Sequence, residues 1–133
     1  LEKLMYQRRA SMNYSILKVL NLVKDNYDVV FLSRPNVVFR QKFNINLYTI
    51  PNIIYANGDN NYFIDFNIFS DIETFKKIYQ NTKIENLTCP EKEYARVCRE
   101  LNINIINYNI QKYLGGYRYG VIYPHQFKEY NFL

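Results

Sequence analysis

A helical-period segment followed at once by a short apolar run constrains the fold of this chain more than any other feature. From about Met5 to Lys24 the sequence contains neither Gly nor Pro, and apolar residues recur at spacings of three and four: Met12, Ile16, Val19, Leu20 and Val23. That period predicts an amphipathic helix. The run Val29–Leu32 has the length of a strand, and its lack of polar positions is typical of a strand buried on both faces of a parallel sheet.

Later segments continue the alternation of helices and strands. We predict three further strands: Ile53–Tyr55, which the turn signal Asn57-Gly58 closes, Tyr62–Phe66 and Ile103–Ile106. Two helices separate the last two of these strands. This order predicts an α/β fold over residues 1–133, built as a single domain with a mostly parallel sheet and flanking helices.

Both of these helices carry start signals in the sequence. Ser70-x-x-Glu73 and Thr88-x-x-Glu91 fit the capping box, in which a hydroxyl and a carboxylate each bond a free backbone amide. Pro90 suits a first-turn position. The apolar residues behind the boxes predict the buried stripes of the two helices: Ile72, Phe75, Ile78 and Tyr79 in one, and Tyr94, Val97, Cys98 and Leu101 in the other.

Composition excludes several classes of protein. The chain is 48% hydrophobic but lacks the 18 or more consecutive apolar residues of a membrane span, so we predict no span and a cytoplasmic location. Cys89, Cys98 and the single His125 are too few for a zinc site of ordinary ligand number or for a disulfide framework. We interpret His125 as structural or as a surface residue.

Charge is distributed unevenly along the chain. Residues 1–42 hold eight basic and three acidic residues, residues 43–75 hold four acidic and no basic ones, and residues 76–133 hold nine basic and five acidic ones. A basic frame around an acidic, amide-rich middle favours a phosphate-bearing ligand. Solvated surface charge gives the same pattern, and the sequence leaves both interpretations open.

Polar residues follow the first predicted strand directly, in Ser33-Arg34-Pro35-Asn36. Pro35 keeps Arg34 extended, so that its guanidinium lies beyond the strand, where ligands of α/β proteins gather. Arg34 suits a phosphate or carboxylate, and Asn36 suits a ribose, a sugar or metal-bound water. Alternatively, Arg34 pairs with Asp28 or a loop, and Asn36 caps a turn.

Taken in order, these segments resemble a family of glycosyltransferases of the glycosyltransferase-A fold, found among capsule and lipopolysaccharide enzymes and in large DNA viruses. "YDVVFLSRPNVVF" is similar to the family's Tyr-Asp-(apolar)-Arg-x-Arg-x-Asp-(apolar)-Phe element. The resemblance covers most of residues 12–107 and continues through short matching segments: the helix Ser15–Lys24, Ile50-Pro51-Asn52, "DNNYFIDF" at 59–66, Phe75–Tyr79, Pro90-Glu91 and Leu101–Ile105.

The resemblance implies transfer of a sugar from a nucleotide-sugar donor to an acceptor hydroxyl in glycan synthesis. The substrate-binding positions that match its motifs or adjoin them are Arg34, Asn36, Asn60, Asn61 and Glu91. Arg118 in the carboxyl-terminal segment is a further basic residue that would stabilise the departing diphosphate. Asp59 and Asp65 are the candidate catalytic bases, although turn formation explains both equally well, as a capping role explains Glu91. The resemblance also implies that the chain matches the carboxyl-terminal part of a glycosyltransferase-A domain, without the amino-terminal nucleotide-binding units of that domain.

A divalent cation, Mn²⁺ or Mg²⁺, is a further implication of the resemblance. Asn36 stands where the family has an acid, and these ions prefer carboxylate oxygens, so metal dependence is an open expectation. Two alternative functions remain. One is an inactive glycosyltransferase-like scaffold. The other is a basic module that binds nucleic acid or protein, although the scattered tyrosines and the lack of a recognition signature argue against nucleic acid.

Overall fold

The computed structural model describes residues 2–24, 27, 29–33, 38–39, 51–107 and 121–122. In chain order the elements are α1 (Glu2–Leu22), β1 (Val30–Leu32), β2 (Val38–Phe39), β3 (Ile53–Ala56), β4 (Ile68–Ser70), α2 (Ile72–Gln80), a 3₁₀ helix (Ile84–Asn86), α3 (Pro90–Glu100), β5 (Asn104–Asn107) and β6 (Val121–Ile122). The predicted α/β class is confirmed.

The main sheet has the strand order β1-β4-β3-β5 and is mixed. β4 runs antiparallel to both of its neighbours, whereas β3 and β5 are parallel. β2 and β6 form a separate antiparallel pair in which Val38 lies opposite Ile122. The prediction of a mostly parallel sheet is therefore wrong.

Two misassigned segments explain the error about the sheet. β1 lies at the sheet edge, where Phe31 is 38% exposed, so the apolar run does not form a strand buried on both faces. The predicted strand Tyr62–Phe66 consists of bends around one isolated bridge, and the strand is Ile68–Ser70 instead. Because the chain turns back after β3 to form β4, it pairs antiparallel with β3.

The hydrophobic core lies between the sheet and the three helices. Ile54, Ala56 and Ile68 of the sheet pack in one buried cluster with residues of all three helices, among them Leu20, Phe75, Ile78, Tyr79, Tyr94 and Cys98. Ile72 and Leu101 of the predicted stripes are partly buried and pack at the margin of this cluster. The other predicted stripe residues are buried: Phe75, Ile78, Tyr79, Tyr94, Val97 and Cys98. The helical period thus predicted the packing faces of α2 and α3 correctly.

Both predicted capping boxes are wrong, because each places the residue before the helix one position too early. Asp71 caps α2, and its carboxylate accepts hydrogen bonds from the Thr74 backbone amide at 2.9 Å and the Thr74 hydroxyl at 2.5 Å. Ser70 is instead buried in β4, and its hydroxyl donates to the Ile53 carbonyl at 2.6 Å. Pro90 occupies the first position of α3, so Cys89 is the residue before the helix, and it makes no side-chain capping bond.

The observed cap of α2 gives a direct test against the predicted capping box. Asp71→Ala is expected to lower the free energy of unfolding by about 1 to 2 kcal/mol, because it removes the acceptor for the Thr74 amide. Glu73→Ala is the matched control. Its carboxylate is 72% exposed and makes only a 3.6 Å ion pair with Lys76, so the change should cost less than about 0.5 kcal/mol. Urea unfolding of both variants measures the difference, and a larger loss in Glu73→Ala would support the predicted box.

A buried carboxylate holds the connection between α2 and α3. Glu93 is only 3% exposed and accepts hydrogen bonds from the Lys83 amide at 2.7 Å, the Asn86 side chain at 2.8 Å and the Arg96 guanidinium. Arg96 also pairs with Glu100 at 2.5 Å. Burial raises the pKa of Glu93, but the bonds from Arg96, Lys83 and Asn86 outweigh it, so the pKa lies below its ordinary value.

Candidate functional site

Three strands of the main sheet end at one edge. β1 and β3 both run antiparallel to β4 and therefore run in the same direction, and β5 runs parallel to β3. Leu32, Ala56 and Asn107 thus end their strands at the edge where Ile68 begins β4. We call this the carboxyl edge. Among the described residues, the connection from β3 to β4, residues 57–67, lies at this edge, which is where ligands of α/β proteins bind.

Ser33 and Asn67 join two strands at the carboxyl edge. The Ser33 hydroxyl, directly after β1, donates a hydrogen bond of 2.8 Å to the side-chain oxygen of Asn67, directly before β4. Asn67 has a positive φ of 56° and is 3% exposed. This bond fixes the point at which the chain leaves β1 towards Arg34. Arg34, Asn36 and Arg118 themselves lie outside the described residues.

A tight turn at residues 57–64, the edge turn, follows β3. The Asp59 amide donates to the Tyr62 carbonyl at 2.8 Å, and the Ile64 amide donates to the Asn57 carbonyl at 3.0 Å. Gly58 has a φ of 154°, a region that only glycine adopts freely. Its amide donates to the Asn107 side-chain oxygen at 3.3 Å, which links the turn to the end of β5.

Asp59 organises the edge turn. One carboxylate oxygen, Oδ1, accepts hydrogen bonds from the backbone amides of Asn61 at 2.8 Å and Tyr62 at 3.1 Å. The interpretation of Asp59 as a turn residue is therefore confirmed. The residue is exposed, and no described residue bonds its second oxygen, Oδ2. The predicted role of Asp59 as a base stays a prediction.

Asp65 lies deeper, on the segment that leads from the edge turn into β4. It is 9% exposed, and its negative charge acts on two buried tyrosines of α2 and α3. Burial is the main cause that raises the pKa of Tyr79 and of Tyr94, and Asp65 raises both further. The rings lie 5.1 Å apart, and the Tyr94 hydroxyl donates to the Asn13 side chain at 3.3 Å.

The other predicted binding residues fall into two groups. Asn60 and Asn61 form the exposed tip of the edge turn, and the Arg99 guanidinium of α3 donates to the Asn60 carbonyl. Glu91 instead lies half-buried in the first turn of α3, where its carboxylate accepts a weak hydrogen bond of 3.5 Å from the Cys89 thiol. Asp59, Asn60 and Asn61 are therefore neighbours in the edge turn as they are in the sequence, and no described contact joins Glu91 to them.

Three polar residues at the carboxyl edge were not predicted from the sequence: Asn67, Asn107 and Arg99. Asn67 directly precedes β4 and Asn107 is the last residue of β5, which is a usable signal, because side chains at strand ends border the loops there. Arg99 has no such signal, since only the tertiary structure brings α3 to the edge turn.

The described residues do not form an evident metal centre. Within them, no group of three or more His, Cys, Asp or Glu side chains is placed to hold an ion. Asp59 is the one acidic residue of the edge turn, and its Oδ1 already accepts two backbone amides of that turn. We therefore assign no chemical step to a divalent cation.

Comparison of the chain with protein-family models, with curated proteins and with solved structures gave no match. The geometry of the carboxyl edge and the resemblance of the short motifs therefore carry the functional argument.

Proposed function

We propose that this chain is a glycosyltransferase-like domain that binds a nucleotide sugar at the carboxyl edge and transfers the sugar to an acceptor hydroxyl. One observation carries the proposal. β1, β3 and β5 end at the same edge, so the segment that begins Ser33-Arg34 leaves the sheet at the edge that also holds the edge turn and Asn107. The element of the resemblance that contains Ser33 and the motif at residues 59–66 thus adjoin the same edge of the sheet, whereas Pro90-Glu91 begins α3 and has no described contact with them.

Each side chain has a role that suits its chemistry. Arg34 supplies a fork of donors for the donor diphosphate, as the resemblance implies. Asn60 and Asn61, at the exposed tip of the edge turn, offer amide donors and acceptors to sugar hydroxyl groups. Asp59 is the preferred base, because two backbone amides orient its carboxylate while Oδ2 stays available. Asp65, at 9% exposure, is less accessible to an acceptor.

The proposed step is a substitution at the anomeric carbon of the donor. The acceptor oxygen forms a bond to that carbon while the bond from the carbon to the diphosphate oxygen breaks. The acceptor proton moves to the Asp59 carboxylate, and the nucleoside diphosphate leaves with its negative charge beside Arg34. This sequence applies to a transfer that inverts the configuration of the sugar.

One observation favours the second candidate, an inactive scaffold of the same fold. The Asp59 carboxylate already has a sufficient structural role in the edge turn. In an inactive scaffold, the carboxyl edge would keep its shape without turning over a donor.

Thermal unfolding of the full-length protein with a panel of nucleotide sugars, with and without Mn²⁺, tests donor binding. A donor at 100 times its dissociation constant is expected to stabilise the protein by about 2.7 kcal/mol. Arg34→Ala should abolish the stabilisation. Arg8→Ala removes an exposed cation from α1 and is the matched control that should keep it. If no nucleotide sugar stabilises the protein, donor binding at this edge is wrong.

Release of nucleoside diphosphate from the donor that binds separates an enzyme from a scaffold. Asp59→Asn should keep the amide-accepting oxygen of the turn and therefore donor binding, while it lowers turnover at least 100-fold through loss of the base. Binding without turnover in the unmodified protein, across a panel of sugar acceptors, would favour the scaffold.

A further inference from the structure

α1 carries basic residues without acidic ones along almost its whole length. Residues 3–24 contain no Asp or Glu but five cations: Lys3, Arg8, Arg9, Lys18 and Lys24. Arg9 is turned to the protein, since its guanidinium donates to the Leu87 and Thr88 carbonyls. The other four cations are exposed. From Lys3 onward the charged side chains of α1, and Lys24 directly after it, are therefore all positive.

The same helix exposes large apolar side chains. Leu4, Met5, Tyr14, Val19 and Leu22 are between 43% and 72% exposed, and Leu22 is the most exposed of them. Single exposed apolar residues are ordinary on a protein surface, but half of those found among the described residues lie on this one helix. The Lys18 ammonium group lies 5.1 Å from the centre of the Tyr14 ring, so cationic and aromatic groups are neighbours here.

Helical geometry places Leu4, Val19 and Leu22 on one outward face, whereas Met5 and Tyr14 lie on opposite flanks of the helix. Leu4 and Leu22 are 18 residues apart, which corresponds to five full turns and about 27 Å along the helix. Arg8, Ser11 and Lys18 fall near the line between them and are exposed. The outward face of α1 thus has apolar residues at both ends and polar or cationic residues between.

An apolar cleft lies at the carboxyl-terminal end of α1. Its volume is about 450 Å³, and its lining comprises Val19, Leu22, Val23, Lys24 and Tyr27. Lys24 is the charged group of this lining. This end combines exposed branched side chains with a cation, as expected for a surface that meets acyl chains and lipid phosphates together.

We propose that the outward face of α1 binds the surface of an anionic membrane. Val19 and Leu22 enter the boundary between headgroups and acyl chains, and Lys18 and Lys24 contact lipid phosphates. The helix lies along the surface. Within the described residues no helix is long and apolar enough to cross a membrane. The proposal concerns α1 and the residues that directly follow it, and it does not depend on glycosyl transfer.

Charge complementarity favours an anionic membrane over two other occupants. A second copy of the chain that paired through this face would bring its cations against those of the first, and like charges in contact destabilise such a pair. The phosphates of nucleic acid would pair with the cations but would leave Val19 and Leu22 exposed to water, because phosphate contacts do not bury aliphatic side chains.

Vesicle sedimentation tests the proposal with the full-length protein. The protein is expected to bind vesicles of phosphatidylcholine with 30% phosphatidylglycerol at least tenfold more tightly than vesicles of phosphatidylcholine alone. The double variant Lys18→Gln, Lys24→Gln should bind the anionic vesicles about 30-fold more weakly, because each cation near the membrane surface contributes about 1 kcal/mol to binding. Leu22→Ser should weaken it about tenfold through loss of apolar insertion.

A control with the same change of charge separates the α1 face from the general positive charge of the chain. Lys83→Gln with Lys92→Gln removes two exposed cations outside α1 and should leave vesicle binding within about twofold of the unmodified protein. An equal loss in this control would overturn the proposal. Vesicle binding by Leu22→Ser that equals that of the unmodified protein would also overturn the proposal. The proposal would likewise be wrong if the protein bound no vesicles but bound a DNA duplex, and the double variant Lys18→Gln, Lys24→Gln lost that DNA binding. All variants are exposed substitutions, and their thermal unfolding should match that of the unmodified protein.

Discussion

Gly58→Ala is expected to lower the free energy of unfolding by about 3 kcal/mol and to remove donor binding at the carboxyl edge. Gly58 has a φ of 154°, where residues with a side chain are strained. An added Cβ would also lie 2.2 Å from the Tyr62 carbonyl oxygen and 2.4 Å from the Phe63 Cα. Both neighbours are backbone atoms, so the edge turn itself must move.

Phe63 explains why a change at this turn reaches the core. Its side chain is fully buried in the main cluster, and Gly58 bridges it across the turn. A displaced turn therefore either pulls Phe63 from the core or separates the Gly58 amide from Asn107. Urea unfolding measures the stability change, and nucleotide-sugar titration measures the change at the edge.

Asn60→Ala is the matched control for Gly58→Ala. It changes a neighbouring residue of the same turn, but Arg99 bonds the Asn60 backbone carbonyl, which alanine keeps. Its free energy of unfolding should stay within about 0.5 kcal/mol of the unmodified value, as for other exposed sites. If Gly58→Ala is as stable as this control, the geometry of the edge turn described above is wrong.

Glu93→Gln is expected to lower the free energy of unfolding at pH 7 by about 3 kcal/mol, because it breaks a buried charge pair and leaves hydrogen-bond donors unmatched. Glu93 serves the Lys83 amide, the Asn86 side chain and Arg96 at once. These contacts join the end of α2, the 3₁₀ helix and α3. The effect should therefore appear as a loss of global stability.

The lowered pKa of Glu93 predicts how its contribution to the free energy of unfolding changes with pH. The pKa of Glu93 is lower in the folded protein than in the unfolded chain, where it is about 4.3. Its contribution to stability is thus fully present above pH 4.3 and is lost as the pH falls through the folded pKa. The difference in the free energy of unfolding between the unmodified protein and Glu93→Gln should therefore shrink as the pH falls below about 4.3.

Glu100→Gln is the control for this experiment. Glu100 pairs with the same Arg96, but its side chain is 62% exposed, so its loss should change stability little at any pH. Urea unfolding at several pH values compares the three proteins. A Glu93→Gln effect that stays constant down to pH 3 would contradict the assigned ion pair.

The candidate site divides into a part that short-range signals predict and a part that they do not. Asn57-Gly58 predicts a turn, and Asp59 behaves as a turn residue, because both effects act within a few residues of the chain. The partners of that turn, Asn107 and Arg99, are 49 and 39 residues away from the turn residues that they bond. The bond between Ser33 and Asn67 spans a similar separation and has no local signature.

The sequence alone determined α2 and α3 with their buried faces, since the apolar period and the proline at the start of α3 act through local geometry. For α1 it determined the helix but only part of the buried face, because Val19 of its apolar period is 60% exposed. It also determined where the strands β3 and β5 lie. Only the tertiary structure decided the direction of β4 and hence the mixed sheet. A three-residue strand such as Ile68–Ser70 has too few residues to display a period, and pairing with β1 and β3 is what stabilises it. The carboxyl edge is a product of that pairing.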